Sequence, residues 1–199
     1  IIVNHYPDSM KSRSSYLPLL ELAIKENPEN DRNMHYLGRE YMYYGKYEEA
    51  ITTLEKHLNL KSATWKDERC ASMRFIARCY MKLNRPKEAL MWANMAIKES
   101  PYLRDPYMEK ALITYELKKY KETEKLCLEA LKIKKHPKTY INEAFTTDLN
   151  IYDILAVVCF NNGKYRSSLR YINKALELDK DNERLNNNKK LIEKYINQS

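Results

Sequence analysis

The stretch His35-Tyr36-Leu37-Gly38-Arg39-Glu40-Tyr41-Met42-Tyr43-Tyr44-Gly45-Lys46-Tyr47-Glu48-Glu49-Ala50 constrains the fold more than any other part of the chain. It reads as a helix, a glycine-containing turn and a second helix. Leu37, Gly38 and Tyr41 share one face, and Ala50, Leu54 and Leu58 continue the apolar row past the turn. Gly38 and Ala50 are small where two antiparallel helices must cross closely, and Tyr41 and Tyr47 are bulky enough to fill the space beside that crossing. One such hairpin cannot bury its own apolar face, so it demands further copies stacked beside it.

The copies follow. Ile76-Ala77, Tyr80 and Ala89 repeat the pattern, with Ala93, Ala96-Ile97 and Pro101 behind them. The last copy is Leu155-Ala156, Cys159, Gly163-Lys164-Tyr165, Ser168, Ile172 and Ala175-Leu176. A third lies between, through Ala111, Tyr115, Tyr120, Leu126 and Ala130-Leu131, with a helix-to-helix junction that reads about one residue short. The unit resembles the tetratricopeptide repeat, whose period is about 34 residues. From Ala96 to Ala130 the step is 34, but it is 39 from Ala50 to Ala89 and 45 from Ala130 to Ala175. Extra residues therefore fall in linkers at 59–67 and 134–147, each long enough for an ordered excursion.

The expected fold is an all-α, right-handed tetratricopeptide-type solenoid of about ten helices, at 14–26, 31–44, 47–59, 66–82, 86–98, 105–117, 121–133, 148–161, 165–178 and 181–197. Residues 1–12 read as the tail of an upstream domain or a linker, and 13–30 as a half-repeat in which Tyr16, Leu20, Ala23-Ile24 and Pro28 match only a second helix. Residues 31–180 hold about four hairpins, and 181–199 a polar capping helix with an apolar line at Leu185, Leu191-Ile192 and Tyr195-Ile196. Asp31 and Asp148 are residue types suited to helix N-caps, and Pro86 to a first helical turn. A half-repeat exposes an apolar face, so self-association through Tyr16 and Leu20 is expected.

Three glycines and seven prolines in 199 residues leave little room for loops, and no run is long and apolar enough to span a membrane. No signal peptide precedes the repeats, and a first residue other than Met suggests a piece of something longer. Cys70, Cys79, Cys127 and Cys159 form no CxxC pair and fall on inward helix positions, as small core residues in a reducing, cytoplasmic setting do. The four histidines supply no zinc cluster.

The formal net charge is +8, so its distribution matters. First helices of such repeats line the concave groove. On that geometry the first repeat presents Arg32, His35, Arg39, Met42 and Tyr43, and the second Ala71, Arg74, Arg78, Met81 and Lys82. His35, Arg39, Tyr43, Arg74, Arg78 and Lys82 are the candidate ligand-binding set, with Arg39, Arg74 and Arg78 as a basic stripe for a carboxylate or phosphate. The alternative is that these arginines pair with Glu40, Asp67 or Glu68 between neighbouring helices. The stripe fades at Asp153, Val157, Phe160 and Asn161 of the last repeat. No phosphate-cradling glycine loop and no nucleophile–base spacing occurs, and the carboxylates read as solvated helix faces, so no catalytic residue is assigned.

Beyond the generic repeat, several phrases are more specific: His5-Tyr6-Pro7-Asp8, Tyr16-Leu17-Pro18-Leu19-Leu20-Glu21-Leu22-Ala23, Tyr36-Leu37-Gly38-Arg39-Glu40-Tyr41, Trp65-Lys66-Asp67-Glu68-Arg69, Ile76-Ala77-Arg78-Cys79-Tyr80 and Tyr140-Ile141-Asn142-Glu143. Together they resemble the C-terminal repeat region of bacterial family 2 glycosyltransferases, over about Asn4 to Asn188. The resemblance implies an upstream GT-A-type catalytic domain that uses a nucleotide sugar and a divalent metal, Mn or Mg, on an Asp-x-Asp motif. Neither the motif nor its sheet lies in this sequence. It also suggests Ile1-Ile2-Val3-Asn4-His5 as the last strand of that domain, with His5 placed either as a late metal ligand or as a structural junction residue.

Two functional classes result. One is a non-catalytic accessory module of a glycosyltransferase, whose groove holds a protein, peptide or glycan acceptor or docks the parent's own catalytic domain. Tyr36, Tyr41, Tyr43, Trp65 and Trp92 offer rings for that, or pack as core. The other is a free-standing scaffold or co-chaperone that captures an acidic peptide C-terminus. Nucleic acid is the least favoured partner, because a per-repeat base-reading code is missing.

Overall fold

The computed structural model describes residues 16–135, 137 and 139–198. The described residues form ten α-helices and one 3-10 turn, with no strand. They are α1 (Tyr16–Glu26), α2 (Asp31–Tyr43), α3 (Tyr47–Asn59), α4 (Lys66–Lys82), α5 (Pro86–Glu99), α6 (Asp105–Glu116), α7 (Tyr120–Lys132), α8 (Asp148–Asn161), α9 (Tyr165–Leu178) and α10 (Glu183–Gln198), with the 3-10 turn at Ala144–Thr146. Each helix packs chiefly on its neighbours in sequence, as in a solenoid. The strand expected at Ile1-Ile2-Val3, and His5 with it, lie outside the described residues.

Four hairpins share one turn. The left-handed residue is Gly45, Asn84, Lys118 or Gly163, with φ between 56° and 74°. In each, the next residue's N–H reaches back to the carbonyl five positions earlier, as Lys46 does to Tyr41, Arg85 to Tyr80, Lys119 to Thr114 and Lys164 to Cys159. The third junction is therefore not one residue short. Lys118 takes the left-handed conformation that glycine or asparagine takes elsewhere, so no turn residue marks it in the sequence. The small residue after the turn is Ala50, Ala89, Thr123 or Ser168, each fully buried. Thr123 bonds to Thr114 and Ser168 to the Ala156 carbonyl, so their hydroxyls stay satisfied at the crossing. Gly38 is required by close approach: a Cβ there would lie 2.5 Å from Leu54 Cγ.

Two expected caps shift by one position. Asn30 and Thr147 are the N-caps, accepting from the Asn33 and Asn150 amides, and Asp31 and Asp148 are the first helical residues. Pro86 does open α5. The expected apolar patch at the N-terminal end also changes. Leu20 is buried with Leu17 against Leu37 of α2, because that side of α1 faces the next repeat. Leu19 and Leu22 are the exposed apolar residues of α1, at 59% and 51%. At the far end Leu185 and Ile192 anchor α10. All four cysteines are free and buried, and burial pushes their thiols up, to about 11 for Cys70 and Cys159 and about 12 for Cys79 and Cys127.

Among the first helices, α4 touches both α2 and α6 as well as its hairpin partner, so the three form the inner wall. Between α6 and α8 the 3-10 turn is packed against both, because the long α7–α8 connection folds inward there. Arg104 holds that connection at both ends. It donates to the Ile133 carbonyl at its start and to the Thr146 carbonyl and Asp148 at its finish. Arg69 does the same for the α3–α4 connection through the Leu58 and Ala63 carbonyls.

Candidate binding groove

The inner wall divides into a filled half and an open half. The filled half lies over the N-terminal parts of α2, α4 and α6. There residues 139–146 of the α7–α8 connection lie across the wall. Tyr140 sets its ring against Tyr36 and Trp65, with centroids 6.2 and 5.7 Å away, and its hydroxyl donates to Glu68 Oε2 at 2.6 Å. Burial and that anionic neighbour push the Tyr140 hydroxyl pKa well up. Arg74 donates to the Ile141 carbonyl at 2.9 Å and to Glu143 at 3.2 Å. Arg78 is held in a fork by Glu109 and reaches Glu143 at 2.6 Å. Asp105 accepts from the Glu143 amide at 2.7 Å and from Asn142 at 3.1 Å, and lies 3.8 Å from Arg74.

This arrangement corrects most of the predicted basic stripe. Arg74 is 1% exposed and spent on Asp105, Glu143 and a backbone carbonyl. Arg78 is half-buried and neutralised by Glu109 and Glu143; desolvation works against its charge, but these carboxylates outweigh it and hold the pKa above the usual arginine range. The pairing partners come from α6 and the α7–α8 connection, not from Glu40, Asp67 or Glu68. Arg39 does pair with Glu40, at 3.4 Å, and stacks over Tyr36 and Tyr43. The carboxylates of Glu40, Asp67, Glu68, Asp105 and Glu109 are buried rather than solvated.

His35 is not on the groove surface either. It is fully buried under the wall, where its Nδ1 meets Ser72 Oγ at 2.7 Å, and Ser72 Oγ meets His57 Nδ1 at 2.9 Å. His57 Nε2 then faces Glu68 Oε1 at 3.6 Å, too long for a full hydrogen bond. One proton order fits: His35 Nδ1–H to Ser72 Oγ, Ser72 O–H to His57 Nδ1, and His57 Nε2–H toward Glu68. Burial drives the His35 pKa down to about 3, with Glu68 opposing and His57, Arg39 and Arg74 assisting. For Glu68 burial acts upward, but the side-chain interactions with His57 and Tyr140 prevail and hold it at about 2. Ser72, His57 and Glu68 have the composition of a nucleophile, base and acid. Ser72 is closed off between two imidazoles, so this row is a structural brace.

The open half lies toward the C-terminal ends of the same helices. A pocket of about 430 Å³ is lined by Met42, Tyr43, Tyr47, Arg78, Met81, Lys82, Glu109, Leu112, Ile113 and Glu116. Three of the predicted residues, Tyr43, Arg78 and Lys82, meet here, and Met42 and Met81 join them. Tyr43 is 57% exposed, so much of its ring can still be covered by a ligand beside Arg39. Sequence reasoning misses Leu112, Glu109 and Glu116, because the misplaced third junction leaves α6 without a register. It also misses Glu143 and Tyr140 as groove residues, although the phrase containing both is one of the distinctive ones. At the last repeat Val157, Phe160 and Asn161 line a smaller apolar hollow with Leu191. Among the described residues no group of His, Cys, Asp or Glu is placed to hold a metal, and no helix is long and apolar enough to cross a membrane.

Comparisons with known proteins agree on the fold. A tetratricopeptide repeat model matches residues 149–182, which is α8, α9 and their turn. No curated protein sequence matches the chain. Among solved structures, MamA from Desulfovibrio magneticus RS-1 is 13% identical with a TM-score of 0.65, over 86% of this chain and 88% of that one. YrrB, described as a TPR protein with an unusual peptide-binding site, is 14% identical with a TM-score of 0.64, over 89% and 83%. TTC0263, a thermophilic TPR protein of Thermus thermophilus, is 18% identical with a TM-score of 0.62, over 90% and 89%. At these identities the likeness speaks for architecture: the chain folds as a tetratricopeptide-type solenoid.

Proposed function

We propose that this chain is a protein-interaction module that holds a partner segment in the open half of its inner wall. The observation that carries this reading is the pocket between Met42, Tyr43, Met81 and Leu112, rimmed by Lys82 and Glu116. Two methionines give a deformable apolar floor, an exposed tyrosine offers a ring, and charges of both signs at the rim suit a polar flank on either side of an apolar anchor. Helical-repeat walls take up extended segments in this way.

The narrower reading is an accessory module of a family 2 glycosyltransferase, with an acceptor or the catalytic domain's own surface as partner. Its support is the set of shared phrases. The residues that carry them, Tyr36, Trp65, Glu68, Arg78, Tyr140 and Glu143, are those that seat the α7–α8 connection on the wall. Any metal or nucleotide sugar belongs to a separate catalytic domain in that reading, and His5 would stand at the junction. A free-standing scaffold is served equally well by the same pocket. Capture of an acidic C-terminus by an arginine stripe is not favoured, because Arg74 and Arg78 are already saturated with carboxylate.

A random-peptide display selection against the chain, run beside a glycan array, tests this. The expected result is selected peptides that shift the methyl resonances of Met42, Met81 and Leu112 and lose at least about tenfold in affinity on Met81→Asp. Array binding abolished by Tyr43→Ala would favour the acceptor reading. Ligands that all map elsewhere would refute the pocket.

A further inference from the structure

Residues 139–146 rest on the inner wall in the manner of a bound peptide. Two of the contacts are to main chain, from Arg74 to the Ile141 carbonyl and from the Glu143 amide to Asp105. Such contacts grip backbone regardless of side chain. The segment presents them by turning: the Asn142 amide donates to the Thr139 carbonyl, Glu143 is extended at φ −94° and ψ 142°, and Ala144–Thr146 form the 3-10 turn. The side chains add selectivity. Tyr140 lies on two aromatic rings, Ile141 is buried with the core of α2 to α5, and Glu143 sits between two guanidinium groups.

The wall does not need this segment for charge balance. Without Glu143, Arg74 still faces Asp105 and Arg78 still faces Glu109, one cation to one anion. Glu143 is the surplus carboxylate, and it is reached by solvent, at 23% side-chain exposure. Arg78 also links the two halves, since it donates to Glu143 on one side and lines the open pocket on the other.

From this geometry we infer that residues 139–146 are a self-ligand: they occupy in cis a site on α2, α4 and α6 that takes, in trans, a partner segment of the same turned shape reading aromatic, apolar, polar, acidic. The inference rests on the reading of the inner wall as a binding face. A partner carboxylate entering the open pocket competes with Glu143 for Arg78, so occupancy of one half loosens the other, and a long partner can run through both.

The test uses a synthetic peptide with the sequence of residues 139–147, titrated into the full chain and into the Tyr140→Ala/Glu143→Ala double variant, with amide NMR as readout. The expected result is binding to the double variant with shifts at Trp65, Arg74, Arg78 and Asp105, at least about tenfold tighter than to the unaltered chain. A peptide with its Tyr and Glu replaced by Ala should not bind. A folded double variant that ignores the peptide, or binds it no better than the unaltered chain does, overturns the inference. Hydrogen exchange on the unaltered chain gives a second decision that does not depend on how the variant folds. The Glu143 amide should exchange at least about tenfold faster than that of Leu155 in α8. Equal rates would mean that the segment leaves only with global unfolding, and would equally overturn the inference. Either failure leaves the pocket at Met42 and Met81 standing, and failure of the display selection leaves this site standing, so the two readings are separable.

Discussion

Arg74 carries a full charge with 1% of its surface exposed, and two carboxylates and a carbonyl make that tolerable. Removing one member of a buried ionic cluster costs about 3–5 kcal/mol, because the partners stay buried and unpaired. Arg74→Met should therefore lower stability by about that amount, read from the urea midpoint. Arg184→Ala, which breaks an exposed pair with Asp153, should change it by less than about 1 kcal/mol. Equal effects would contradict the buried cluster. His35 gives a second check at this scale. Its folded pKa of about 3 lies below the unfolded value near 6.5, so between those limits the unfolded chain holds a proton that the native chain does not. Stability is then complete above pH 6.5 and falls as the pH drops toward 3, by about 1.4 kcal/mol per pH unit from this group. Glu68, held at about 2, adds a loss in the same direction below its unfolded value of 4.5. His35→Gln should remove one proton's worth of slope between pH 4.5 and 6.5 in urea midpoints taken across pH. An unchanged slope would contradict the buried neutral imidazole.

At the scale of the element, the turn decides. The four left-handed turn positions are geometrically equivalent but chemically unequal: two glycines, one asparagine and one lysine. A β-carbon in that region costs roughly 1–2 kcal/mol. Lys118→Gly should therefore raise the thermal midpoint more than Asn84→Gly, since asparagine tolerates the conformation better, and Gly163→Ala should lower it. Gly38→Val tests the crossing instead. It drives a branched side chain into Leu54, and overpacking of this kind costs about 1–3 kcal/mol, in part recovered by Leu54→Ala. The hairpins are legible from sequence because their signals are local: a small residue, a turn and a second small residue at fixed spacing. The third hairpin is obscured where Lys118 stands for glycine and Thr123 for alanine, two substitutions that keep the geometry and erase its mark. The groove is legible only where repeat geometry alone exposes a residue, as at Tyr43 and Lys82. Arg74 and Arg78 mislead because their environment is completed by Ile141 and Glu143, and Glu68 beside the His35 row because its partner is Tyr140; these contacts span between 65 and 72 positions. No periodicity reports a contact of that range.

At the scale of the molecule, an extra stretch of chain between α7 and α8 sets what the solenoid offers. Its residues 139–146 fill the N-terminal half of the inner wall, the 3-10 turn among them packs on α6 and α8, and the pocket around Met42, Met81 and Leu112 stays open. The net charge of +8 gives no hint of this, since groove arginines are spent internally on carboxylates. The most direct measurement is a nuclear Overhauser experiment on the full chain, between the ring protons of Tyr140 and those of Tyr36 and Trp65. Cross-peaks between Tyr140 and both rings are predicted. Their absence, with residues 139–146 at random-coil shifts, would contradict the account.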